Sequence, residues 1–391
     1  LKAPSLFVVL FTTILAYSTF YLPQPILPLL ASEFGVTATD AALLTAVTMI
    51  PLGFAPIFYG YLTEYVSIKR VLLVSVGLLA ITQALLATAD VFWTMVGLRF
   101  AQGLLLPAIF TSLMSYSAKT AATARVRNAI NIYVSATIFG GFAGRLFGGV
   151  ISDMFEWRWA FSLTAGLLVI AWALLMTLPD DAQQNVNRIK LDAAQKILSR
   201  PLFRDAYLGI FLVFFVFASI LNYIPFRLKE LDPTISESTL SLVYLGYICG
   251  ALIAFNGARI ADWLGGELRG MSIGLALLLI GLCGMLVPSL VATFVFAFLM
   301  CAAFFLVHSL LAAFLNYHAT DSHGIINGLY LSFYYSGGAL GGWLPGYIFR
   351  SNGWNAYIAV LAALLVLAIC WLWRMRVAAR GRIDDRYAAG R

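Results

Sequence analysis

The chain has 391 residues, of which 61% are hydrophobic and only 11% charged, with a formal net charge of +7. Soluble domains carry roughly 45–50% apolar and about 25% charged residues, so a single water-soluble core is excluded. Four cysteines (Cys249, Cys283, Cys301, Cys370) lie scattered in apolar segments without disulfide or metal spacing, and neither a metal nor a cofactor is expected.

Apolar windows of membrane-crossing length recur at roughly 5–31, 40–63, 71–89, 91–117, 128–152, 157–178, 205–228, 238–261, 270–287, 289–316, 324–349 and 354–376. They predict an all-α polytopic membrane protein with twelve transmembrane helices. The first run is too long for a cleavable signal peptide and leads straight into more membrane. The longest polar break falls between spans six and seven. It divides the chain into an N-terminal six-helix bundle (1–180), a linker (181–204), a C-terminal six-helix bundle (205–376) and a tail (377–391). Within the linker, 188–199 is polar and mildly amphipathic, as a surface helix would be.

Lysine and arginine set the orientation. Nineteen fall on one side, and only Arg158, Arg227, Lys229 and Arg350 on the other. Both termini and the linker are therefore expected in the cytoplasm, and the basic charge is topological. Nucleic acid is not an expected partner. The halves also repeat. The end of span two, Gly60 to Ser67, lands on Ala258 to Gly265 with a shift of 198. Gly144…Gly149 lands on Gly341…Gly346, and Trp157 on Trp354, with a shift of 197. Two pseudo-symmetric bundles related along the membrane normal follow, the arrangement of a rocking transporter.

Two cations interrupt the apolar runs. Arg99 lies nine residues beyond Asp90, about 13 Å into a ~30 Å hydrocarbon layer. An arginine at that depth costs at least about 2.5–3.5 kcal/mol and must face protein or water. Gln102, Gly103 and Leu106 share its helical face. Arg145, eight residues before Asp153, reaches a similar depth. No Asp or Glu falls in the middle of any span. The pair therefore suggests a small-molecule substrate with a carboxylate, phosphate or similar group, bound between Arg99 and Arg145. The competing reading is that either arginine is a structural strut. His308, the one histidine inside a span, is a candidate proton carrier or a packing residue. Gly270-Met271-Ser272-Ile273-Gly274 matches a hydrolase elbow in letters only, since it opens a membrane helix, and no enzyme is expected.

At its loop and fourth-helix motifs the sequence resembles the major facilitator superfamily over all twelve helices. The loop signature after helix two is carried here by Gly60, Leu62, Thr63, Glu64, Ser67, Lys69 and Arg70, with Glu64 for the usual aspartate and Ser67 for the glycine. Its second copy keeps Asp262 and Gly265, and Arg99, Gln102 and Gly103 match the fourth-helix signature fully. Within the superfamily it resembles bacterial drug/sugar-efflux proteins of the proton-antiporter type, most of all YnfM-like inner-membrane transporters. That likeness rests on Gln24-Pro25, Gly144-Arg145-Leu146, Asn222-Tyr223, Phe304-Phe305, His308-Ser309, Tyr330 and Tyr334-Tyr335. Arg145 departs from the pattern, standing where the helix-five signature has proline.

The resemblance implies a major facilitator fold in a bacterial inner membrane, a monomer working by alternating access, and proton-coupled efflux. Uptake or exchange of an organic anion is the alternative within transport, and a transport-inactive sensor or lipid-handling protein the alternative outside it. It also implies that Tyr21, Gln24, Asn222, Tyr223, Tyr330 and Tyr334 border the substrate path. Glu64, Lys69, Arg70 and Asp262 would form a conformational switch, with Glu64 meeting the N-terminal end of helix eleven near Gly324.

Overall fold

The computed structural model describes residues 3–120, 126–179, 191–319 and 323–389, without the side chains of 3–4, 55–65, 118–120, 126–131, 191–192, 323 and 376–389. Among the described residues there is no strand. The helices are α1 (Ala3–Tyr21), α2 (Leu27–Phe34), α3 (Ala38–Tyr65), α4 (Ile68–Ala87), α5 (Phe92–Thr120), α6 (Val126–Met154), α7 (Trp157–Met176) and α8 (Leu191–Leu198). They continue as α9 (Pro201–Leu231), α10 (Glu237–Leu242), α11 (Gly246–Phe255), α12 (Gly257–Leu264), α13 (Glu267–Gly284), α14 (Leu290–Tyr317), α15 (His323–Trp343) and α16 (Gly346–Ala389). Ten stretches among the described residues are long and apolar enough to cross a membrane, Ala38–Phe54 is a shorter apolar helix, and α15 occupies the remaining expected place.

Three expected spans are broken. The first stops at Tyr21, because Pro23 and Pro25 cannot donate to the preceding turn; a short 3-10 turn (Gln24–Ile26) leads into α2. The eighth is assembled from α10, a 3-10 turn at Val243–Leu245, α11 and α12. The eleventh ends at Trp343 and not at 349, since Pro345 follows, and Gly353 breaks α16 with φ 77. Elsewhere the starts are capped as the sequence dictates. Thr37 and Asp40 close a reciprocal capping box on α3, and Ser67, Ser236 and Ser289 accept from the third backbone N–H of α4, α10 and α14.

By contact density the chain forms two compact units, of which the first draws on both sequence halves. The first contains Leu1–Arg188 and Leu221–Ile248; the second contains Ile189–Ile220 and Cys249–Arg391. In a bilayer, apolar contact between helices gains little over contact with lipid, so close backbone approach and buried hydrogen bonds must hold each unit. In the first unit, α6 lies against α1 through Gly140 and Gly144, where an added Cβ would strike the backbone of Ile14 and Ser18. Ser18 Oγ uses this proximity to donate to the Gly140 carbonyl at 3.0 Å. In the second unit Gly337 and Gly341 of α15 meet the backbone of Phe211 and Phe215 of α9 in the same way. All four contacts correspond under one shift of 197 residues, so the internal repeat holds for packing as well as for letters.

The second unit also has an aromatic column. Phe217 stacks on Phe304 with centroids 3.9 Å apart, and Phe214 on Tyr334 at 3.7 Å. Trp354 Nε1 donates to the Met285 carbonyl at 2.8 Å, fixing the start of the helical run after Gly353. Large apolar side chains such as Phe54, Trp93, Phe139, Leu252, Val291 and Trp373 are exposed, as lipid-facing residues are.

Candidate functional site

Arg99 of α5 is fully buried, and every one of its five N–H groups has an acceptor. Nε donates to the Leu44 carbonyl (2.7 Å), Nη1 to the Thr19 carbonyl (3.0 Å) and Gln102 Oε1 (2.6 Å), and Nη2 to the Phe20 carbonyl (2.6 Å) and Thr48 Oγ1 (3.3 Å). The sequence explains both ends of this arrangement. Thr19 is four residues before Pro23, which has no N–H, so its carbonyl is left for another donor. Gly103, one turn after Arg99, lets the Thr48 backbone approach to where a Cβ would stand 2.7 Å from its carbonyl oxygen. Gln102 Nε2 passes the chain on to Gln83 Oε1 of α4 at 2.8 Å. Arg99 thus ties α1, α3, α4 and α5 together, with the planar donor fork that only arginine offers.

Arg145 of α6 is equally buried but differently held. Nε donates to Gln24 Oε1 (2.6 Å), Nη1 to the Gly141 carbonyl one turn back (2.9 Å) and Nη2 to the Tyr247 hydroxyl (3.0 Å). Two of its five N–H groups have no acceptor among the described residues. The guanidinium carbon lies 3.8 Å from the Tyr21 ring centroid, 4.3 Å from Tyr247 and 5.0 Å from Tyr244. Such cation–π contacts contribute about 0.5–2 kcal/mol each, more when desolvated. Gln24 turns its other end to Asn222, Nε2 donating to Oδ1 at 2.6 Å. Tyr244 is itself fixed by donating to the Leu221 carbonyl at 2.8 Å, an acceptor freed because Pro225 stands four residues on inside α9. All these residues belong to the first unit. No carboxylate pairs with Arg99 or Arg145 among the described residues.

The two arginines close on one stretch, Thr19–Gln24, but share no partner: Arg99 takes backbone carbonyls there, Arg145 a ring and an amide. Tyr223 is buried and packs on Phe226, centroids 6.2 Å apart. His308, Tyr330 and Tyr334 come together in the second unit. The Tyr330 hydroxyl lies 2.8 Å from His308 Nδ1, and Tyr334 lies 5.1 Å from the imidazole, centroid to centroid. The side chain of Glu64 lies outside the described residues. Lys69 is half-buried and Arg70 exposed in the first turn of α4; Asp262 is exposed in α12, where its carbonyl accepts from Gly265 N at 3.1 Å. Sequence reasoning missed Gln83, Thr48, Tyr244 and Tyr247. The one signal for them was indirect, in Pro23 and Pro225, each of which releases a carbonyl one turn earlier.

Among the described residues, ten helical stretches long and apolar enough to cross a membrane, together with a buried cationic site that no carboxylate pairs, define a polytopic membrane protein. The family model of the Major Facilitator Superfamily matches residues 9–342, and the chain belongs to that superfamily, a family of transporters and not of enzymes. Among curated relatives it is 29% identical over 362 residues to the Inner membrane transport protein YnfM of Escherichia coli, covering 90% of this chain and 86% of that one. It is 22% identical over 242 residues to a Probable sugar efflux transporter of Helicobacter acinonychis, covering 60% of this chain and 61% of the relative. A bacterial homologue of the human lysosomal transporter Spinster, solved in an inward-facing and occupied conformation, shares the fold with a TM-score of 0.79 at 16% identity, covering 97% of each chain.

Proposed function

We propose that this chain is a proton-coupled exporter of a small organic solute, whose recognition centre is Arg145 with Gln24, Asn222 and the tyrosines around it. The observation that carries the reading is a fully buried guanidinium that no carboxylate neutralises, and whose donors are not all used, among the described residues. A charge that expensive is retained where a solute completes it. Arg99, with all five donors held by the protein, is the strut of this arrangement, and Gln102 extends it. Export is supported by the name of the sugar-efflux relative. His308 and Tyr330 are the proposed proton carriers, since no carboxylate lies in the middle of a span. Lysine and arginine counts support cytoplasmic termini in a bacterial inner membrane. The chain works as a monomer by alternating access, with Glu64, Lys69, Arg70 and Asp262 biasing the two states.

Reconstitution into proteoliposomes with an imposed pH gradient tests this. Solute movement opposite to protons, lost in His308→Gln, supports export by antiport; no solute-dependent proton movement overturns it. The uncompensated charge on Arg145 also favours a second reading, uptake or exchange of an organic anion. Accumulation of an anion driven by an acidic exterior would establish that instead.

A further inference from the structure

The geometry points to a carboxylate-triggered latch: a solute carboxylate that takes Arg145 releases the segment 221–248 from α1 and α6. This rests on Arg145 as the recognition centre. Nε and Nη2 form the edge of a guanidinium that a carboxylate grips with both oxygens. Here Nε is held by Gln24 Oε1 and Nη2 by the Tyr247 hydroxyl, two neutral acceptors. Those same two residues are hydrogen-bonded ties of 221–248 to the first-half helices, beside the packing of α10 against Gly149 of α6. Tyr247 belongs to the segment, and Gln24 reaches it through Asn222. Charge-assisted hydrogen bonds are roughly twice as strong as neutral ones, so a carboxylate displaces both acceptors together.

The consequence is coupling without a relay of distant contacts. Displaced from Nε, the Gln24 amide loses the bond that orients it, and its 2.6 Å bond to Asn222 loses its fixed geometry. Displaced from Nη2, Tyr247 leaves the cation. The rings of Tyr21 and Tyr244 remain over the guanidinium and give apolar faces to the rest of the solute, so the ligand class is a monocarboxylate with a compact apolar or ring-bearing body. A neutral amide of the same shape does not compete, because it offers Arg145 no more than Gln24 already does. A cation is repelled.

Hydrogen–deuterium exchange on the full-length chain in detergent tests the latch, with butyrate, octanoate, benzoate and glucuronate as probes beside their amides, and benzylamine as the cation. At least one carboxylate should raise amide exchange in 221–248 about fivefold or more, the lower range of typical site-to-site coupling, while its amide does nothing. Gln24→Glu carries a carboxylate to Arg145 permanently; its exchange in 221–248 should be high without ligand and unresponsive to it. Arg145→Gln should lose the response if it folds, and Gln24→Glu keeps the test decisive if it does not. Exchange unchanged by all four carboxylates, or changed equally by amides, overturns the latch. The proteoliposome measurement separates the levels: proton-driven movement of a solute with no carboxylate effect on 221–248 sinks the latch alone. A carboxylate response without proton coupling sinks the antiport reading alone.

Discussion

Gln24 and Asn222, joined by a 2.6 Å hydrogen bond between their amides, are 198 positions apart, one residue off the shift of 197 that relates α1 to α9. The bond therefore joins one residue from each half of the sequence at neighbouring, not equivalent, positions, since the counterpart of Gln24 is Leu221. Arg145, which holds Gln24 from the other side, is present in only one half: its counterpart, 197 residues on, is Gly342.

The two arginines should separate cleanly on mutation. Arg99→Lys keeps the charge but loses the fork that reaches three carbonyls and two side-chain oxygens. Hydrogen bonds to charged groups contribute about 1.5–3 kcal/mol each, and several break together, so a loss of about 3 kcal/mol or more is expected. Chemical unfolding in mixed micelles measures it. Arg145→Lys, with fewer bonds to lose, should cost less than half as much.

Glycine contacts give a test with internal controls. Gly144→Val places a branched side chain on the Ser18 backbone, and Gly341→Val does the same at Phe215. Both should abolish a monodisperse peak in size-exclusion chromatography. Gly97→Ala and Gly166→Ala meet nothing within 4 Å and should be neutral or stabilising by about 0.5–1 kcal/mol. If the valine variants elute like wild type, the close approach of α1 to α6 and of α9 to α15 is not required.

For the proton pathway the informative change is Tyr330→Phe. It removes one hydroxyl that touches His308 Nδ1 at 2.8 Å and leaves the ring packing in place. Thermal stability should fall by about 1 kcal/mol. The pH profile of solute-driven proton movement should shift, while the apparent solute affinity at saturating proton concentration stays put. An unmoved profile removes His308 and Tyr330 from the coupling mechanism.

The loop between α9 and α10 predicts a pH dependence. The Thr234 hydroxyl and backbone N–H, donating to Asp232 at 2.6 and 2.9 Å, hold this surface carboxyl below its usual range, with Lys229 adding to the effect. A carboxyl depressed in the folded state stabilises above the unfolded range near pH 4, and its contribution fades as pH falls through the folded value. Thr234→Val, which deletes the hydroxyl, should therefore be less stable than wild type at neutral pH. The difference should shrink toward acid, read by paired unfolding curves.

The depth of Arg99 and Arg145 was legible in the sequence because charges in apolar runs are conspicuous and helical rise converts position to depth. Their different employment was not. It depends on which carbonyls Pro23 and Pro225 release and on where Tyr244 and Tyr247 point after the 3-10 turn at Val243–Leu245, none of which has a periodic signature. The glycines of α6 and α15 stand out in the sequence through their repeat, yet the α1 and α9 backbones they approach emerge only when the helices are set side by side. Breaks at Pro23 and Pro345 were visible as prolines inside apolar windows, but a hydropathy window averages over them.

Prolines in this chain do more than interrupt. By withholding an N–H at 23 and at 225, the backbone itself supplies acceptors for Arg99 and Tyr244 at depths where a polar side chain would otherwise have been needed. The interior wiring is thereby made from main chain, and the side chains of those turns stay free to be oily. A residue scored as a defect in a helix acts as a socket for a donor from the helix next door.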